Sequence, residues 1–165
     1  MGRKSTNPNK SIYQETRESL GLTRDKASEL MPGISAERIE KIENGKVNIL
    51  PGDILAMSKC YKEPSLCNYY CTHECEIGME NVQEVKQKDL VQIAVETLTS
   101  LNRLDREKER LLEIVEDGQI TPDEYDDFKN IKATLDKIAL SVDALQLWID
   151  KTIADGRLDE KLFED

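Results

Sequence analysis

Seven apolar residues, Phe128, Ile131, Leu135, Ile138, Val142, Leu145 and Ile149, follow one another at alternating spacings of three and four. On a helix of about 3.6 residues per turn that spacing draws one unbroken stripe, the seam of a coiled coil. A second row, Leu140, Ala144, Leu147 and Trp148, lies off the stripe. One partner helix cannot cover both rows, so this segment needs more than one neighbour. The preceding stretch, from Lys88 to Gly118, reads as another long helix. Its Leu90, Ala94, Leu98, Leu101, Leu104, Leu111 and Val115 keep close to one face. Thr121 and Pro122 then supply the N-cap and N1 pairing that restarts a helix. Residues 88–165 are therefore expected to form a long antiparallel helical hairpin. The apolar surface left over predicts that the hairpin doubles into a homodimer or packs back on the rest of the chain.

Composition agrees with helices. Of 165 residues, 38% are apolar, 34% charged and only 5% aromatic, and glycine and proline are sparse. No apolar run is long enough to cross a bilayer, and the start carries no apolar leader, so a cytoplasmic protein is expected. Charge is divided unevenly. Residues 1–62 hold 11 Lys/Arg against 8 Asp/Glu, whereas residues 63–165 hold 12 against 25. The acidic part cannot lie along a phosphate backbone, so any nucleic-acid contact belongs to the first part.

That first part opens with a polar, basic arm at residues 1–10, read as disordered, and continues as short helices over 11–62. Ser11 caps a first helix with Ile12, Thr16 and Leu20 on one face, and Gly21 ends it. Thr23 caps a second. Pro32-Gly33 forms a turn, and Ser35 caps a third helix in which Ile39 and Ile42 lie on one side. A fourth, from Gly52 to Tyr61, buries Ile54, Leu55 and Met57 or Ser58. Helix, glycine-containing turn and helix with a polar outer side make a helix-turn-helix.

The segment "LTRDKASELMPGISAERIEKIENGK", Leu22–Lys46, resembles the DNA-binding domain of lambda-repressor-like (XRE-type) regulators, most specifically through "IEKIENGK". The resemblance spans about Ile12 to Tyr61. It implies an all-α domain of about five short helices that binds double-stranded DNA, with residues 35–44 as recognition helix in the major groove. Ala36, Glu37, Glu40 and Lys41 would face the bases, Lys41 as donor to guanine and Glu37 as acceptor from cytosine. Arg24, Ser35, Arg38 and Lys46 would hold the backbone, and Glu43 would support the domain from inside. The turn is one residue longer than usual, and the recognition helix carries three glutamates. Those acids weaken non-specific binding, so a homodimer through the C-terminal helices is expected to double the footprint.

Between head and hairpin, residues 63–87 form a cysteine-rich connector containing "CNYYCTHEC". Cys67, Cys71 and Cys75 recur every four residues, which puts them on one face of a continuous helix. The outer two would then lie about 12 Å apart, at about 1.5 Å rise per residue, too far to share a metal. A zinc or iron–sulfur site needs the helix to break before Cys75, with Cys60 or His73 as a further ligand. Three uses stay open: small buried packing residues, a structural metal site, and a reversible disulfide. The chain has one histidine, no nucleophile–base pairing and no phosphate-binding glycine loop, so no enzyme is expected. Beside the DNA-binding regulator stands an antitoxin-like or adaptor protein whose acidic helical tail grips a protein partner.

Overall fold

A computed structural model describes residues 10–163; residues 1–9 of the basic arm lie outside the described part. Among the described residues there are eight α-helices and no strand, so the chain is all-α as its periodicity predicts. It divides into two compact units. One comprises the chain up to Glu84 together with the residues from Asp150, the other Val85–Ile149.

The first unit contains α1 (Ile12–Ser19), α2 (Arg24–Leu30), α3 (Ala36–Glu43), α4 (Pro51–Tyr61), α5 (Ser65–His73) and α6 (Glu76–Asn81). Each of the first three starts where a hydroxyl can accept from a backbone N–H three residues ahead. Ser11 accepts from Gln14 at 3.3 Å, Thr23 from Lys26 at 3.2 Å and Ser35 from Arg38 at 3.2 Å. Gly45 ends α3 at φ +64°, a backbone that disfavours any side chain, while the Lys46 N–H returns to the Lys41 carbonyl at 2.8 Å. Proline begins α4, and the Asp53 carboxylate accepts from the Leu50 N–H at 2.9 Å.

Ala27, Ile39, Met57 and Leu66, from four different helices, are fully buried at the centre of one core. Two faces differ from the sequence expectation. Helix α1 buries Tyr13, Gln14 and Arg17, and Leu20 stays half exposed, because Arg17 is drawn inwards by a charge on α3. Helix α4 buries Ile54, Met57, Ser58 and Tyr61, spaced three and four apart, which turns Leu55 outwards.

The second unit holds α7 (Leu90–Val115), capped by Asp89, and most of α8 (Tyr125–Ala154). The two long helices pack together. The Arg110 guanidinium meets Asp127 at 2.7 Å, and the Thr134 hydroxyl donates to Glu107 at 3.0 Å. Stepping back along α7 thus steps forward along α8, so the pair is antiparallel. The last turn of α8 belongs to the first unit, where Lys151 Nζ donates to the Lys62 carbonyl at 2.8 Å and lies 3.2 Å from Glu63.

Two expectations for the hairpin need correction. Helix α8 begins at Tyr125 rather than at Thr121-Pro122. The Thr121 hydroxyl donates to the Glu124 carboxylate at 2.7 Å instead of accepting a backbone N–H, so residues 122–124 form a turn ahead of the helix. The seam keeps Leu104, Leu111, Ile131 and Ile138 as expected, but at other positions it shifts to the preceding residue. On α7 the inward row is Ile93, Thr97, Ser100, Leu104, Glu107, Leu111 and Ile114; on α8 it runs through Ile131, Thr134, Ile138, Ser141 and Ala144. Leu98, Leu101, Leu135, Val142 and Leu145 remain 37–59% exposed. Hydroxyl residues tolerate the inward positions because their polar atoms are satisfied locally. Thr97 donates to the Ile93 carbonyl at 2.7 Å, and Ser141 to that of Lys137 at 2.8 Å. Their small size leaves a cavity of about 360 Å³ beside Ser100 and Ser141. No helix among the described residues is long and apolar enough to cross a membrane.

Candidate nucleic-acid interface

Helix α3 is held from one side only. Ile39, Ile42 and Glu43 are buried, and Glu37, Glu40, Lys41 and Asn44 are exposed on the other side. Glu43 is the anchor. Its two oxygens accept from Arg17 Nε at 2.5 Å and Nη2 at 2.9 Å, and Oε2 also accepts from Arg24 Nε at 2.8 Å. Burial works against the Arg17 charge, but the hydrogen-bonded Glu43 carboxylate outweighs it and keeps the guanidinium protonated. Arg17 Nη1 also donates to the Leu22 carbonyl at 2.5 Å, at the entrance to α2. One acid on α3 thereby fixes α1, α2 and the loop between them.

The residues expected to meet DNA fall into two groups. Glu37, Glu40, Lys41 and Lys46 stand exposed, Ala36 is half-buried, and Ser35 is exposed with its hydroxyl used as the cap of α3. Lys41 pairs with Glu37 one turn back at 2.8 Å, which holds the Glu37 carboxyl below its ordinary range. The two arginines are tied to the fold. Arg24 is bound to Glu43, and Arg38 grips Asp53 of α4 through Nε at 2.9 Å and Nη2 at 2.5 Å. Hydrogen bonding from Arg38 holds the Asp53 carboxyl below the usual carboxylate range, against the opposing effect of burial. Asp53 thus caps α4 and tethers α3 to it. The role of Arg17 was not legible in advance. The one available signal was its position four residues after Tyr13, on the same side of α1.

The cysteine segment packs on the head. Cys60 and Cys67 lie against the core, and Leu66 is completely buried. Tyr69 meets the Tyr13 ring edge-on at 5.9 Å, and the Tyr13 hydroxyl donates to Glu74 at 2.7 Å. The helix does break before Cys75, which opens α6 in an extended conformation with its N–H on the Tyr70 carbonyl at 3.0 Å. His73 stacks on Tyr69 at 4.2 Å, with Nδ1 beside the Thr72 hydroxyl at 2.8 Å. All four cysteines are free thiols. Burial raises the Cys60 and Cys71 thiols above their ordinary range, and the neighbouring Cys75 and Cys67 add to it at Cys71. Among the described residues, no three His, Cys, Asp or Glu side chains are arranged to hold a metal ion. Cys60, Cys67, Cys71 and Cys75 are each half-buried, and His73 is exposed.

Comparison with protein-family models, with curated proteins and with solved structures found no match to this chain.

Proposed function

We propose that the chain is a sequence-specific DNA-binding transcriptional regulator that works in the cytoplasm as a homodimer, joined through its C-terminal helices. The observation that carries this reading is the one-sided anchoring of α3. Ile39, Ile42 and the Arg17–Glu43–Arg24 cluster hold it from within, which leaves a rigid, capped helix with its polar side free. In the major groove, Lys41 would donate to guanine O6 and N7, and Glu37 or Glu40 would accept from cytosine N4. Lys46, the Ser35 end of the helix and the outer nitrogens of Arg24 and Arg38 would meet phosphates. The Glu37–Lys41 pair opens as Lys41 turns to a base, at small cost for so exposed a pair. Acidic groups on this face hold non-specific binding down, so two heads on one duplex are required for useful affinity.

Fluorescence anisotropy of the full chain against promoter fragments and random duplex tests this reading. Preference for particular fragments at moderate salt supports it, and equal affinity for every duplex rejects it. The adaptor reading draws on a different observation, the excess of acids over bases, 25 to 12, across residues 63–165. It is favoured if the full chain shows no DNA preference and co-purifies with a stoichiometric basic protein.

A further inference from the structure

We propose that the outward side of α7 is the contact face of the homodimer. Two copies of α7 run antiparallel about a two-fold axis that passes between Arg106 and Glu107. The face consists of Leu98, Leu101, Asp105, Lys108, Leu112 and Val115. Each follows by one position a member of the row that meets α8, so together they form a second stripe rotated about 100° from the first. All six are exposed. Leu98 shows 59% and Leu112 67% of its surface, and the side chains of Asp105 and Lys108 show 71% and 58%.

The stripe matches itself reversed. Its spacings are three, four, three, four and three from either end, and its chemistry reads apolar, apolar, acid, base, apolar, apolar. Turned end for end, Leu98 falls on Val115, Leu101 on Leu112 and Asp105 on Lys108. A two-fold contact demands this, since residue i must meet j where j meets i. Antiparallel copies set aliphatic against aliphatic and each acid against a base. A parallel pairing would set Asp105 against Asp105 and Lys108 against Lys108. The local pair of Asp105 with Lys108, at 2.9 Å, would be exchanged for the same pair across the axis.

The net charge of the tail disfavours a second copy, and the stripe is the place where that repulsion is absent. Residues 63–165 carry a strong excess of acid, which repels another such tail and attracts basic proteins. The stripe alone is neutral and self-complementary. On α8, Leu135, Val142 and Leu145 likewise follow the inward Thr134, Ser141 and Ala144 by one position. One step in the same rotational sense about opposed axes emerges on the same side of the hairpin, so these side chains widen the face into a four-helix contact.

The inference rests on the homodimer of the proposed function and is independent of DNA contact. Sedimentation equilibrium of the full chain tests it, with circular dichroism to verify that each variant keeps its helices. The wild-type chain should be dimeric, and Leu101→Glu with Leu112→Glu should be monomeric. Asp105→Lys alone and Lys108→Asp alone should each weaken association at least about tenfold, by facing like charges across the axis. Mixed in equal amounts, these two variants should form a heterodimer about as tight as the wild type. A wild-type monomer at high micromolar concentration overturns the proposal. So does an undiminished dimer in the double leucine variant, or a mixture no tighter than its components. A dimer that binds no DNA would leave this face standing and remove the regulator reading alone.

Discussion

Arg17 on α1 and Glu43 at the end of α3 form a two-point ion pair, Nε to Oε1 at 2.5 Å and Nη2 to Oε2 at 2.9 Å, with the Glu43 side chain fully enclosed. The glutamate of "IENGK" is thus a structural counter-ion that fixes the exposed helix in place. Glu43→Ala leaves the nearly buried Arg17 guanidinium without its partner. The head should lose about 3 kcal/mol of stability, measured by urea unfolding. Arg17→Met, which removes the stranded charge as well, should restore part of that loss in the Glu43→Ala background.

Asp53 gives the head an acid limb with a definite sign. Its folded carboxyl is held below the ordinary value by Arg38. A depressed acid contributes stability that is present above its unfolded value, near 4, and is lost as pH falls through the folded value. The wild-type head should therefore weaken as the solution is acidified below about pH 4, with α3 released from α4. In Asp53→Asn this part of the pH dependence should disappear, leaving a head less stable at neutral pH and flatter towards acid. Thermal unfolding followed across pH compares the two slopes.

Gly78 on α6 lies hard against α5. A Cβ built there would come 2.1 Å from the Cys71 carbonyl oxygen and 2.9 Å from the Cys71 Cα, all backbone that cannot rotate away. Gly78→Ala should push α6 off the cysteine-bearing helix at a cost of about 1–3 kcal/mol. Faster alkylation of the Cys71 thiol, timed by mass spectrometry, would report that displacement. An unchanged rate and unchanged stability would mean that α6 does not seal this side.

The local signals in the chain were legible where one residue decides the backbone. Ser11, Thr23 and Ser35 cap the helices they precede, and Gly45 ends α3 with positive φ. Hidden from the sequence were choices made by distant partners. Arg17 turns inwards because Glu43 waits 26 positions away, and Arg38 leaves the outer face because Asp53 accepts it. The hairpin misled for a different reason. Apolar periodicity marks a face without saying what lies against it, and Ser100, Thr134 and Ser141 occupy the inward row to which periodicity assigned Leu101, Leu135 and Val142. Helix α6 escaped notice because Ile77, Gly78 and Met79 in so short a segment carry no helical period. At the cysteine cluster, the four-residue spacing suited a continuous helix and could not tell that the chain breaks before Cys75 or that His73 would stack on Tyr69.

Direct titration of the wild-type chain and Lys41→Ala into labelled duplexes, by fluorescence anisotropy over a range of salt, tests the regulator reading most plainly. Wild type should prefer one set of fragments over random duplex. Lys41→Ala should lose about 1–3 kcal/mol of discrimination at a single base position and change the salt dependence by no more than one phosphate contact. Equal affinity of the wild-type chain for cognate-candidate and random duplexes at every salt concentration would contradict it.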